Sequence, residues 1–232
     1  MSLLQPVFQL LIFRISRAEL LRFDRRHFWV GLLGTWIVGM GRYWDDPGAH
    51  LLQHLGLGSV IYIFGLSLLI WLVILPFQVE KWTYFRVLTF VSLTSFPAVF
   101  YAIPVERFMS VELAAAVNAW FLAIVAAWRL ALLFFFLRRF SQLRWWYIVV
   151  GALLPVCAII AALTALNLER AVFDIMGGIR DATSNDRAYG VLVFLTFSSA
   201  LLFIPLVIGY VVAIFQRRRR LRRTSLENQV ES

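Results

Sequence analysis

LGLGSVIYIFGLSLLIWLVILPF, residues Leu55 to Phe77, runs for 23 positions without a charged side chain. A helix needs about 20 apolar residues to cross the hydrocarbon core of a bilayer. A lipid-facing β-strand would alternate apolar and polar residues with period two. This run is continuously apolar, so it reads as a membrane-spanning helix.

Working outward, five more runs read the same way: Phe28–Trp44, Arg86–Ile103, Leu113–Leu137, Trp146–Leu166 and Tyr189–Phe215. The predicted fold is therefore all-α, a polytopic integral membrane bundle of six transmembrane helices. Composition agrees. The chain is 61% hydrophobic and 15% charged, against about 45–50% and about 25% for a soluble domain. The same figures exclude intrinsic disorder.

Charge sets the expected orientation. With the N-terminus in the cytoplasm, sixteen of the 22 basic residues fall on the cytoplasmic side. Arg42, Arg107, Arg170, Arg180 and Arg187 fall outside, and Arg129 lies within a span. That asymmetry meets the positive-inside rule and predicts both termini inside, with six crossings between them. All but one of the basic residues are arginine. GC-rich codon usage gives such a bias, and the expected location is a bacterial inner membrane. Three regions follow: an interfacial amphipathic segment, 1–27; the six-helix domain, 28–215; and a basic cytoplasmic tail, 216–232.

In the first region Arg14, Arg17, Arg22 and Arg25 occupy one arc of a helical wheel, with Ile12, Phe13, Leu20 and Phe23 broadly opposite. This pattern suits a helix lying on the inner leaflet. With Arg217, Arg218, Arg219 and Arg220 it forms a basic surface whose expected partner is anionic lipid headgroup. Nucleic acid is not expected.

Candidate chemistry is sparse. Asp46 before Pro47 reads as an N-cap followed by proline at the first helical position. A helix starting there puts Asp46, His50 and His54 on one face. Two imidazoles and a carboxylate can hold a metal, and Glu106 or Glu112 can add a ligand. A capped helix with two interfacial histidines explains the same residues, and no zinc motif such as H-E-x-x-H is present. In the fourth span Asn118 and Arg129 share a face, and an intramembrane charge is costly enough to suggest a site. Arg129 is also about 12 Å from the cytoplasmic end, from which its side chain can snorkel to the inner headgroups.

Pro97, Pro155 and Pro205 interrupt spans three, five and six. Ser92 and Ser95 precede the first of these, and Thr196 and Ser199 precede the last. The carbonyls freed by proline need partners, which points such faces into the bundle or toward a cavity. Gly31, Thr35 and Gly39 form a small-residue series on the first span, and Gly58 with Gly65 on the second. Both suit close helix packing, within the chain or between copies.

There is no G-x-S-x-G, Walker A loop, C-x-x-C or dinucleotide fingerprint, and no cofactor is expected. The leading expectation is a non-enzymatic inner-membrane protein that packs with itself or membrane partners. A transporter or channel using the Pro-broken helices is the second reading. A membrane enzyme with an outward metal at Asp46, His50 and His54 is the third.

Overall fold

The computed structural model describes residues 3–44, 50–168 and 186–230, without the side chains of 106, 111–112, 115, 186–192, 224–228 and 230. Among the described residues the chain is helical throughout, with no strand. The α-helices are α1 Leu4–Leu11, α2 Arg17–Leu21, α3 Arg25–Gly41, α4 Leu51–His54, α5 Leu57–Ile74, α6 Tyr84–Leu93, α7 Val111–Phe136, α8 Trp145–Ala165 and α9 Asp186–Val230. Short 3-10 turns extend α5 over Leu75–Phe77 and follow α6 over Phe96–Ala102. A π turn, Leu137–Ser141, ends α7.

Among the described residues five segments are long and apolar enough to cross a membrane: Leu57–Phe77, Tyr84–Ala102, Ala116–Ser141, Trp145–Ala165 and Val193–Arg223. The sequence predicts six. The difference is α3, whose 17 residues rise about 25 Å, short of the ~30 Å hydrocarbon core. Its course is nevertheless parallel to α6 and the 3-10 turn behind it. Phe28 meets Phe85 at one end, with ring centres 5.6 Å apart. At the other end Trp44 Nε1 donates to the Ala102 carbonyl at 3.0 Å.

The N-terminal region is two short helices rather than one interfacial helix. The chain turns at Phe13, which has φ +62°, and restarts at a Ser16/Glu19 capping box. The side chains that bury are Val7, Leu10, Ile15, Leu20 and Phe23, whereas Phe13 from the expected apolar face is exposed. Trp128 Nε1 donates to the Leu11 carbonyl at 3.0 Å. Trp128 is eight residues before the end of α7, about 12 Å along its axis. Leu11 is thus seated well inside the helical layer, and the segment packs as a wedge against α7.

Beyond the expected sixth span α9 continues unbroken through the arginine cluster to Val230, so the tail expected from 216 begins as helix. Pro155 and Pro205 sit inside continuous helices. At Pro97 the helix tightens into a 3-10 turn.

An aromatic core ties the helices together. Phe90 stacks on Phe136 at 4.0 Å, and Trp82 packs on Phe136 and Phe140. Trp82 is buried in this cluster, whereas Trp36 and Trp120 are exposed on the outside of the helices. The chain ends sort cleanly. Arg17 pairs with Glu80 at 3.4 Å and donates to the Phe140 carbonyl, and Arg217 donates to the Phe77 carbonyl at 3.2 Å. The 75–83 turn, the 137–144 turn, the N-terminal segment and the arginines of α9 therefore share one basic end.

The small-residue series on α3 packs within the chain. A Cβ on Gly39 would lie 2.8 Å from the Ser59 hydroxyl, and one on Gly34 would enter the Phe96 ring. Thr35 is buried and donates to Gly31 O at 2.8 Å and Ser92 O at 3.2 Å. Gly58 and Gly65 are different: a Cβ on either meets nothing within 4 Å.

Candidate functional site

Three expected groups of residues fall in three separate places. The first is the metal candidate around α4. Asp46 lies outside the described residues, as do the side chains of Glu106 and Glu112. His50 has extended backbone, φ −68° and ψ 155°, and is itself the N-cap of α4. Its backbone N–H donates to Gln53 Oε1 at 2.7 Å. The helix thus begins after His50, and the uninterrupted helical register that would align 46, 50 and 54 does not pass through it. Among the described residues no three His, Cys, Asp or Glu side chains gather closely enough to hold a metal.

The second group is the hydroxyls. Thr89, Ser92, Thr94 and Ser95 are buried. Each donates into its own helix: Thr89 to Phe85 O, Ser92 to Thr89 O, Thr94 to Val91 O and Ser95 to Val91 O. This back-bonding satisfies donors that lipid could not. The Ser92 side chain faces Gly31 across the α3–α6 contact, not a cavity. Ser199 is buried on α9 beside Cys157 of α8, and Thr196 Oγ1 is buried without a partner.

The third is Arg129. Phe90 stacks on Phe136 and Phe100 on Phe121, so α7 runs antiparallel to α6 and its 3-10 continuation. Arg129 sits midway between those two levels. Its guanidinium lies 5.4 Å from the centre of the Tyr62 ring on α5. Snorkelling toward the basic end or a structural contact was expected, and the structure has the side chain on the Tyr62 ring, leaning away from that end. The reason is geometric: helical side chains tilt toward their own N-terminus, and the N-terminus of α7 is at the opposite end of the bundle. Nη2 is buried with no hydrogen-bond partner. Asn118, about three turns earlier on α7, is half-buried and has an interaction of its own.

Arg129 has cationic neighbours toward that opposite end. Arg42 lies 5.2 Å from the Tyr101 ring, and Arg107 lies 4.8 Å from the Trp44 ring. Aromatic faces attract guanidinium groups through the ring quadrupole, which helps to hold charges in an apolar layer.

At the basic end Arg144, Gln216, Arg219, Arg220 and Arg223 line a cavity of about 300 Å³. Residues 216, 219, 220 and 223 are spaced i, i+3, i+4, i+7, so one face of α9 presents them together. Arg144 comes from elsewhere as the N-cap of α8, and no side chain caps the N–H groups of that first turn. The positive end of the α8 dipole adds to the same field. Sequence reasoning assigned Arg219 and Arg220 to lipid but missed Arg144, Gln216 and Arg223. The spacing on α9 is a readable signal, whereas the approach of Arg144 is not. Arg17 and Arg217, also assigned to headgroups, each donate from Nε to a backbone carbonyl of the bundle.

Neither a family model, a curated protein nor a solved structure matches this chain.

Proposed function

We propose that this chain is a non-enzymatic, six-span component of a bacterial inner membrane, with both termini cytoplasmic. It acts through anionic lipid at its basic end and through packing with membrane partners or a second copy. The observation that carries the reading is the cavity at that end, where four arginines from two separated segments converge. Basic hollows beside membrane helices suit phosphate headgroups, and each arginine near an anionic leaflet contributes about 1 kcal/mol. Support for a sixth crossing comes from the parallel course of α3 and α6. Contacts at both ends of α3 give it the same depth as the Tyr84–Ala102 segment.

The test is thermal unfolding of the full chain in phosphatidylcholine nanodiscs with and without phosphatidylglycerol. The anionic lipid should raise Tm. Arg219→Gln combined with Arg223→Gln should remove most of that gain without lowering Tm in pure phosphatidylcholine. An undiminished gain in the double variant would refute the headgroup role of this cavity.

A further inference from the structure

We propose that Arg129, with Tyr62 and Tyr101, binds the phosphate or carboxylate head of an amphiphile that enters sideways between α5 and α7. This site is separate from the basic cavity and lies deeper in the helical layer. The first observation is the cation itself. Arg129 has no acidic partner among the ion pairs of the described residues, and its Nη2 is buried and unbonded. A guanidinium is always charged, so in an apolar layer it needs an anion or a set of acceptors. The Tyr62 ring supplies only part of that compensation.

The second observation is the space beside it. α5 packs far less closely on α7 than on α6 or α8, and Arg129 reaches from α7 to the Tyr62 ring on α5. On α5, Gly58, Tyr62 and Gly65 fall within about 60° of arc. A Cβ at either glycine would meet nothing within 4 Å. The wall beside Tyr62 is thus cut back to backbone on both sides of the ring. Tyr101, at the end of the neighbouring 3-10 turn, lies within electrostatic reach of both Arg129 and Tyr62. Two phenol groups and a planar fork of donors are what an oxyanion needs, because arginine can bind two of its oxygens at once.

The opening faces the bilayer side of α5, where Ile61, Leu68 and Leu72 are exposed. A lipid-borne anion can therefore keep its chains in the apolar layer while its head meets Arg129. A free anion from water would have to cross that layer.

The test uses the full chain carrying Arg219→Gln and Arg223→Gln, so that the basic cavity does not report. Thermal unfolding is followed in dodecyl maltoside with dioleoylphosphatidylglycerol, dioleoylphosphatidylcholine or inorganic phosphate. Phosphatidylglycerol should stabilise this parent, and Arg129→Leu should weaken its apparent affinity about tenfold or more. Without anionic lipid Arg129→Leu should unfold at the same or a higher temperature, since it removes an uncompensated charge. Tyr62→Phe should lose part of the response and keep its fold. A lower Tm for Arg129→Leu without lipid, or failure to fold, would make Arg129 a structural residue and overturn the proposal. An equal lipid response in parent and variant would also overturn it. Equal protection of the parent by inorganic phosphate would overturn the lateral route.

Discussion

Gly31 of α3 lies so close to Ser92 of α6 that a Cβ built on it would sit 2.9 Å from the Ser92 Cβ and from the Leu93 backbone nitrogen. Backbone cannot yield as a flexible side-chain tip can. Gly31→Ala should therefore force α3 away from α6 and cost about 1–3 kcal/mol, the range for overpacking. Thermal unfolding in detergent reads the loss. Gly65→Ala, where nothing lies within 4 Å, should leave Tm unchanged or slightly raised. Equal losses at the two positions would contradict this account.

Gly56 is constrained twice. Its φ is +65°, and a Cβ there would lie 2.7 Å from Met40 N and 2.8 Å from Trp36 O. The left-handed conformation alone costs a non-glycine residue about 1–2 kcal/mol, and the backbone overlap adds to it. Gly56→Ala should lower stability by more than Gly58→Ala, which gains helix propensity in open space. It should also loosen the Trp36 Nε1 bond to Leu55 O, now 2.7 Å, seen as a change in tryptophan fluorescence.

The number of crossings is measurable with two cysteines. In a Cys157→Ala background, Ala18→Cys precedes α3 and Ser225→Cys follows the last span. Six crossings put both on one side of the membrane, and five put them on opposite sides. An impermeant thiol reagent should label the two only from the cytoplasmic face. Labelling from opposite faces would remove α3 from the set of crossing helices.

The caps at the start of α2 and α3 should make local stability depend on pH. Hydrogen bonds from Ser16 hold the Glu19 carboxyl below its ordinary range, and the bond from His27 does the same for Asp24. A carboxylate lowered by folding contributes stability that is present above its unfolded pKa, about 4. That contribution is lost as pH falls through the lower folded value. Hydrogen exchange at Arg26 and His27 should rise in that acid window. Asp24→Asn should flatten the dependence, and Asp24→Ala should cost about 0.5–2 kcal/mol as a lost N-cap.

Trp128→Phe tests the seating of the N-terminal wedge. The indole bond to Leu11 O would be lost while the ring packing is largely kept. Proteolysis within residues 3–16 should accelerate, with a global loss of about 0.5–1.5 kcal/mol. Unchanged cleavage would mean that Val7 and Leu10 alone hold α1 in place.

The continuous apolar runs carried the helical membrane class, because a bilayer imposes one length and one hydrogen-bonding solution on any segment that crosses it. Helix ends were legible within two residues at α8, where Trp146–Leu166 became Trp145–Ala165. The glycines of α3 were legible as a packing face, since small side chains at four-residue spacing line one side of a helix. Partners were not. Gly31 and Gly65 look alike in sequence, yet one meets Ser92 and the other meets open space. The helical wheel of the N-terminal segment did not survive because Phe13 takes a left-handed turn, which local pattern did not signal. Arg129 was legible as a costly charge, but its direction depended on which end of the bundle holds the N-terminus of α7. Arg144 joined Arg219 and Arg223 only because the start of α8 lies beside α9. Hydropathy and charge act residue by residue and can be read along a chain, whereas the approach of segments 75 residues apart is set by packing.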